Sequence, residues 1–366
     1  MLRIIWHLGN TTVRSPFRLR EGLIALKESD LEGSLHGELQ ERKFRDVLGE
    51  AGIVSLGDDA TFSVARKWRS ALSQLGFIVP KLRVELQSNI SEVGPFDTIT
   101  KNGEALIDAK TLPGMQEVFL RCLLAYRIPN PKETTYEFEQ FSPLKFVLKV
   151  LVKLRETHGE GKLSFLEMAT IVQTSSDSDG VNRVVEQVIN LRERRDNALN
   201  KRAFDNQEKE VVKQRIGCVL TTINDYADVN FRYLKASGLV VSKGRGISLY
   251  EDKLSLIEKI LHEDDSEESP SDYFITLCNG ASIPTDDLEE ASEELSNILA
   301  RAEDKGIEIT FDVDELTGTQ SINDKRYQLE EQLLLVAEED YARRQKDEWE
   351  EIHSYMEILI NGRNNP

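Results

Sequence analysis

The residues that best match a catalytic set are three charged side chains in the segment 94–110, GPFDTITKNGEALIDAK. Asp97 comes first, and Asp108 is followed two residues later by Lys110. Many nucleases use an acid followed by an acid-x-Lys pair to hold Mg²⁺ at a scissile phosphate, where the metal activates water and relieves charge. The first interpretation of this segment is therefore a Mg²⁺-dependent nuclease site.

The same segment also fits a strand that runs into a capped helix. Thr100 is a suitable N-cap, and Gly103 falls in the first turn of the helix that would follow. Side chains two residues apart share a face on a strand but diverge on a helix, so a helix would separate Asp108 from Lys110. We favour the helix and keep Asp97, Asp108 and Lys110 as an alternative catalytic set.

Basic side chains gather at four places, and these are the candidate DNA contacts. Arginine can bind guanine through two hydrogen bonds, and both basic residue types neutralise phosphates. The clusters lie at a predicted helix start, on one side of a predicted helix, near a helix C-terminus and at a hairpin tip: Arg14, Arg18 and Arg20; Arg66, Lys67 and Arg69; Arg192, Arg194 and Arg195, with Lys201 and Arg202 after them; and Lys243 and Arg245. Each cluster also has a structural interpretation as a solvated face, an ion-pair partner or a complement to a helix dipole.

Asp225 and Asp228 are the other acidic pair that could hold a metal, since residues three apart can share a helix face. Arg232 follows four residues after Asp228, and this spacing favours an ion pair over a metal. The three cysteines are far apart, and with five scattered histidines they show neither zinc spacing nor a disulfide framework. We therefore predict no metal ligands in this chain.

The elements that would position the basic clusters occur twice in one order. In residues 1–130 we expect a helix from Pro16, a helix at GELQERKFRDVLGEAGI, a basic helix ending at Gly76, and a strand pair at GFIV and FDTIT. In residues 131–262 we expect amphipathic helices, a capping box at Ser164 and Glu167, and two strands joined by Lys-Gly-Arg-Gly. Helices followed by a strand pair are the order of a winged helix.

The predicted fold is mainly α with small β wings, an α+β protein of tandem winged-helix-like DNA-recognition subdomains followed by a helical linker. The subdomains are residues 1–130 and 131–262. Residues 263–324 are predicted to be an acidic linker with a short helix and a short strand at IEITFDV. Residues 325–366 are predicted to form one long amphipathic helix, because apolar residues recur every three to four positions up to Leu359.

The net charge of −18 is unevenly distributed along the chain. Residues 251–366 carry 32 acidic and 10 basic side chains, which leaves 32 acidic and 36 basic side chains in residues 1–250. A mildly basic body is compatible with DNA binding if its cations gather on particular elements. The start of the chain lacks a signal-peptide pattern, and no apolar run is long enough for a membrane helix. We expect a cytoplasmic protein without a membrane partner.

Four stretches, taken in order over residues 3–260, resemble the AlwI family of type IIS restriction endonucleases and related nicking endonucleases: NTTVRSPFRLREGLIAL, ARKWRSALSQLGFI, TITKNGEAL, and FSPLKFVLKVLVKL with DYADVNFRYLKASGLVVSKGRGISL. The resemblance implies a prokaryotic protein whose partner is double-stranded DNA with a short asymmetric site. It also implies winged-helix-type recognition subdomains, a helical linker, and a C-terminal PD-(D/E)xK nuclease domain that uses Mg²⁺, with a second subunit for cleavage of the second strand.

On this resemblance we expect the chain to stop where the nuclease domain would begin, so that it holds no cofactor and does not cut DNA alone. Two alternatives remain open. In the first, the chain is a complete Mg²⁺ nuclease that uses Asp97, Asp108 and Lys110. In the second, it is a non-catalytic winged-helix regulator or scaffold whose long C-terminal helix contacts a partner.

Overall fold

The computed structural model describes residues 3–55, 63–263 and 268–341, the last four of these by their backbone only. Most of the described residues are helical, and three short strands form one antiparallel sheet. The predicted class, mainly α with a small β component, is confirmed. Within these ranges no helix has the length and apolar composition needed to cross a membrane.

Helices follow one another along the whole described chain, and the strands all lie between residues 162 and 249. The helices are α1 (Arg18–Lys27), α2 (Glu38–Glu50), α3 (Ser63–Gln74), α4 (Val84–Asn89), α5 (Lys101–Asp108), α6 (Leu112–Ala125), α7 (Pro143–His158), α8 (Phe165–Thr170), α9 (Val181–Asp196), α10 (Lys201–Ile216), α11 (Leu220–Ala236), α12 (Leu254–His262), α13 (Pro270–Asn279), α14 (Leu288–Asp304) and α15 (Gly318–Tyr341). The strands are β1 (Lys162–Ser164), β2 (Val240–Ser242) and β3 (Gly246–Leu249).

Local capping signals start several helices where the sequence predicts them. Thr100 accepts a hydrogen bond from the backbone N–H of Gly103 at 3.0 Å, which starts α5. Ser164 and Glu167 form the predicted capping box at the start of α8. The predicted start of α1 at Pro16 is two residues too early, since the helix begins at Arg18. Before it, the N–H of Arg18 bonds the carbonyl of Ser15 in a separate turn.

Five helices were not predicted from the sequence: α4, α6, α10, α12 and α13. Helix α6 is buried on nearly every side, so it lacks the polar face that makes a helix recognisable as amphipathic. Helix α10 is the opposite case, since Val212 is its only residue that is buried. Neither extreme produces the apolar stripe on which a periodicity argument depends.

The three strands are ordered β1-β3-β2, with β3 antiparallel to both neighbours. Gly246 is required in β3, because a Cβ there would lie 2.1 Å from the carbonyl oxygen of Leu163 on β1. At the tip of the β2–β3 hairpin Gly244 has a φ of +57°, and the N–H of Lys243 bonds the carbonyl of Gly246 at 3.0 Å. This turn projects Lys243 and Arg245 away from the sheet.

The strand pair predicted after α3 is reduced to a single β-bridge between Ile78 and Ile99. Around it, the N–H of Val79 bonds the carbonyl of Thr98 at 2.9 Å, and the N–H of Thr100 bonds the carbonyl of Phe77 at 3.1 Å. The two segments pair as predicted but too briefly to count as strands.

One hydrophobic core runs continuously from Ile5 to Ile283. The N-terminal segment crosses to the second half of the chain, where the Trp6 indole N–H bonds the carbonyl of Ser175 at 2.8 Å. The Tyr233 hydroxyl bonds the carbonyl of Val13 at 3.1 Å. Packing is therefore continuous across the predicted boundary at 130/131, and that boundary stays a prediction.

Helices α14 and α15 form a hairpin with a small core of its own. The strand predicted at 307–313 is wrong, because residues 307–310 make no strand pairing. The side chains of Ile307, Ile309 and Phe311 instead pack on the α14–α15 core. Helix α15 begins at Gly318, earlier than predicted, and the predicted continuation beyond residue 341 lies outside the described residues.

Candidate nucleic-acid interface

A cleft of about 860 Å³ opens between the β2–β3 hairpin tip, α8, α11 and the connected ends of α9 and α10. Of its twenty lining residues, four are acidic and eight are basic: Lys162, Arg192, Arg195, Lys209, Arg232, Lys235, Lys243 and Arg245. A concentration of cations in a concave surface focuses a positive potential and attracts polyanions. The cleft contrasts with the acidic C-terminal section of the same chain.

The hairpin tip forms one wall of the cleft. Lys243 and Arg245 are both exposed, and within the described ranges neither side chain makes a hydrogen bond or ion pair. The backbone of the tip is fixed, because the N–H of Phe165 bonds the carbonyl of Arg245 at 2.9 Å. Two cations thus sit on an anchored loop, in the position that the sequence predicted for phosphate contacts.

The Arg192 side chain makes its hydrogen bonds within the protein, at the base of the cleft. Its Nε donates to Glu167 at 2.9 Å, and its Nη2 donates to the carbonyl of Lys162 at 2.7 Å. Glu167 in turn accepts from the N–H of Ser164 at 2.9 Å within the capping box. Arg192 therefore joins α9 to β1 and α8, so the structure gives it a positioning role.

Arg194 and Arg195 clamp α9 to α10. Arg194 makes a two-bond contact with Glu208 at 2.6 and 2.9 Å, and Arg195 makes a two-bond contact with Asp205 at 2.6 and 3.0 Å. Hydrogen bonding to these carboxylates raises the pKa of both arginines. Both guanidinium groups remain partly exposed, and Arg195 lines the cleft.

Lys209 is a cleft residue that sequence reasoning missed, because α10 itself was not predicted. Its Nζ lies 5.1 Å above the ring of Phe165, a cation–π distance. Burial lowers the pKa of Lys209, Asp205 acts to raise it, and the nearby Arg245 lowers it further. A phosphate entering between Lys209 and Arg245 would relieve this repulsion.

The acidic pair on α11 is used in ion pairs. Arg232 donates to Asp228 at 3.0 Å, as its spacing predicts. Arg14 contacts Asp225 at 3.0 Å and ties the N-terminal segment to α11. Arg14 is half exposed, and its role in DNA binding stays a prediction.

The basic side of α3 faces α2. Arg69 donates to the carbonyl of Leu35 at 2.6 Å and to Glu41 at 3.1 Å, and Arg66 contacts Glu41 at 3.3 Å. Lys67 is exposed, and it makes no hydrogen bond or ion pair to the part of the chain that the structure describes. The structure does not bring this cluster into the cleft.

Arg18 and Arg20 face inward. Arg18 donates to the carbonyl of Ile53, while Arg20 donates to the carbonyls of Leu106 and Ile107 at 3.1 and 2.7 Å. Burial lowers the pKa of both arginines. Arg18 thus ties α1 to the segment after α2, and Arg20 ties α1 to the end of α5. Their position at a helix start did not indicate this structural use.

The alternative catalytic set is divided between two environments. Asp97 is 1 % exposed, accepts from the N–H of Leu35 at 3.0 Å and lies 2.5 Å from Nδ1 of His36. Asp108 is the exposed last residue of α5, and Lys110 is exposed beyond it. Across residues 3–55, 63–263 and 268–341, no three His, Cys, Asp or Glu side chains form a group that fits a metal ion.

Replacing Asp108 or Lys110 by alanine is expected to leave folding and DNA binding unchanged, since both are exposed at a helix end. Asp97→Ala is expected to destabilise the protein by ~1–3 kcal/mol, because the N–H of Leu35 loses its buried acceptor. Urea unfolding of the three variants measures this difference. Plasmid cleavage with Mg²⁺ or EDTA is the deciding assay, since cutting by the wild type that Asp108→Ala abolishes would establish the catalytic alternative.

Most of the chain matches a known protein family. Residues 73–365 match the family model of the AlwI restriction endonuclease. Among solved structures, the chain is similar to one described as "Crystal structure of pyrene- and phenanthrene-modified DNA in complex with the BpuJ1 endonuclease binding domain". The identity is 14 % and the TM-score 0.42, over 65 % of this chain and 86 % of that one, which is too remote to carry an argument. No curated protein matches.

Proposed function

Since the chain belongs to the AlwI restriction endonuclease family, we propose that it recognises a short asymmetric site in double-stranded DNA for endonucleolytic cleavage. The observation that carries this proposal is the cleft with its eight basic lining residues. Phosphates supply most of the affinity in such complexes, while a few base contacts supply the specificity.

The topology around the cleft supports a winged-helix assignment for the second subdomain. Helix α7, strand β1 and helix α8 come first, and α11 leads into the β2–β3 hairpin, with β3 in the centre of the sheet. Helices α9 and α10 are then an insertion between α8 and α11. On this assignment α11 is the recognition helix and the Lys243–Arg245 turn is the wing.

Helix α11 can offer only a narrow face to DNA. Asp228, Arg232 and Lys235 line the cleft, while most other positions on its second half are buried. Arg232 is oriented by Asp228, and Lys235 donates to Ser242 at 3.0 Å. We assign phosphate contacts to Lys209, Lys243 and Arg245, and a base-reading role to Arg232, whose guanidinium can bind guanine through two hydrogen bonds.

We assign the cleavage of DNA to residues other than those of the cleft. Restriction endonucleases of this family are expected to use Mg²⁺, but the described residues supply no fitted group of ligands for it. We propose that recognition and cutting are separate, with the PD-(D/E)xK nuclease outside the described residues and a second subunit cutting the second strand in a prokaryotic cytoplasm. The path to the nuclease would run through α15.

The proposal is tested by selecting duplexes from a randomised library with the whole chain. A single asymmetric consensus is expected, and the affinity for it should fall with salt. Three phosphate contacts predict a slope of about −3 for log Kobs against log[salt]. An Arg232→Ala variant should lose preference at one base position and keep this slope, as expected for a base contact.

The control is Arg183→Ala, a basic residue of α9 that lies outside the cleft. Its consensus, affinity and salt slope should equal those of the wild type. Recovery of unrelated sequences by the wild type, or binding that ignores salt, would contradict the proposal.

A further inference from the structure

The turn between α9 and α10 presents an aliphatic side chain completely to solvent. Leu199 is 108 % exposed, the highest value among the large hydrophobic residues of the described chain. The turn is nevertheless ordered by its own hydrogen bonds. The N–H of Ala198 bonds the carbonyl of Arg195 at 3.2 Å, and Asn200 caps α10 by accepting from the N–H of Ala203 at 3.0 Å.

The two helices behind this turn are held firmly together. The two-bond contacts Arg194–Glu208 and Arg195–Asp205 hold α9 against α10 near the tip. Helix α9 packs on α7, and α10 contacts α8 and α11 although it buries only Val212. The turn at the ends of these two anchored helices is the part that is exposed. A leucine that is exposed at this turn lowers solubility and makes no contribution to the hydrophobic core.

Cations surround the exposed leucine. Lys201 and Arg202 follow it after Asn200 and are both exposed, and Lys201 pairs with Asp196 at 2.7 Å. Arg195 and Asp196, just before the turn, line the basic cleft. The leucine tip is thus continuous with the cleft wall opposite the β2–β3 hairpin.

We propose that Leu199 is a wedge that enters a base-pair step of the DNA held in the cleft, a proposal that rests on the proposed function. Architectural DNA-binding proteins insert single apolar side chains between base pairs, unstack them and kink the duplex. The flanking cations would hold the phosphates on both sides of the opened step. A protein partner would be expected to meet a broader apolar patch than one side chain enclosed by charges.

If Leu199 enters the DNA, the affinity depends on how easily the base-pair step that it enters can be unstacked. Pyrimidine–purine steps deform most readily, so the consensus should contain such a step at a position that no side chain reads directly. The DNA would also be bent when bound, which would aim the flanking duplex in a fixed direction relative to the recognition region.

The test uses a duplex of about 30 base pairs, roughly three helical turns, that carries the consensus selected by the wild type. End-attached dyes report bending by energy transfer, and 2-aminopurine at each step reports unstacking. The wild type is expected to raise both signals. Leu199→Ser should bind about tenfold more weakly without either signal, and Leu199→Phe should keep both.

Val211→Ser is the matched control, because Val211 is an exposed apolar residue (55 %) on α10 away from the tip. It should behave as the wild type. The wedge is overturned if Leu199→Ser bends and unstacks the duplex as the wild type does, or if Leu199→Phe behaves as Leu199→Ser. Failure of the wild type to bind any duplex would instead overturn the proposed function.

Discussion

Reversing both charges at the hairpin tip, Lys243→Glu together with Arg245→Glu, is expected to weaken binding to the selected duplex by about 100-fold, or ~2.7 kcal/mol. Two cations that face the cleft are lost and two anions take their place beside the phosphates. The tip is exposed and outside the core, so the melting temperature should not change. Gel shifts or fluorescence anisotropy across a salt series measure the effect.

The salt dependence separates a phosphate contact from a general charge effect. If the two residues contact phosphates, the slope of log Kobs against log[salt] should become less steep by about two. The matched control is Lys101→Glu together with Lys110→Glu, which makes the same change in net charge on exposed residues of the first half. Equal losses in both double variants would show that the cleft is not where DNA binds.

Arg326→Met is expected to destabilise the docking of α15 by ~3–5 kcal/mol, the effect of removing one partner from a buried ion pair. Arg326 is 3 % exposed and contacts Glu117 on α6 as well as Glu330, at 3.3 Å, one turn along α15. Glu330 is also 2.5 Å from Lys253. The substitution leaves the buried Glu117 and the mostly buried Glu330 with less compensating charge.

The loss of stability caused by Arg326→Met should become smaller as the pH falls. Burial acts to raise the pKa of Glu330, but Lys253 and Arg326 outweigh it and hold this pKa below the ordinary 4.5. A lowered folded-state pKa stabilises the fold above the unfolded-state value and loses that contribution as pH falls. The difference between wild type and Arg326→Met should therefore be largest near neutral pH and should narrow below about pH 4.5.

Urea unfolding and hydrogen exchange of α15 measure this effect. Lys325→Met is the neighbouring control. Among the residues that the structure describes, Lys325 makes only a surface hydrogen bond to Gln328 and a contact with the Phe311 ring. Its cost should stay within ~1 kcal/mol. Adding Glu117→Gln and Glu330→Gln to Arg326→Met should recover part of the loss. Equal stability of the Arg326 and Lys325 variants would show that the ion-pair network does not hold α15 in place.

The sequence by itself determined most of the local structure. The N-caps at Thr100 and Ser164, and the Lys-Gly-Arg-Gly turn, lie where they were predicted. These signals are readable because a cap or a turn is made by residues within a few positions of one another. The class of fold follows from them, and the family resemblance is confirmed over residues 73–365.

The sequence did not show which basic residues face solvent. Arg20 and Arg69 donate to backbone carbonyls that are distant in the chain, whereas Lys243 and Arg245 project into the cleft. A local pattern records only that a residue is basic, since its partners are brought to it by folding. The same limit applies to Asp97, whose carboxylate is enclosed by residues 35 and 36.

Only the tertiary structure placed α10 beside the hairpin tip and so formed the cleft. Helix α10 buries one residue and α6 is buried nearly all round, and neither pattern identifies a helix from sequence. Lys209 and the projecting Leu199 were missed for that reason. The physical cause is that the core joins segments as distant as Trp6 and Ser175, and the positions of surface charges follow from that packing.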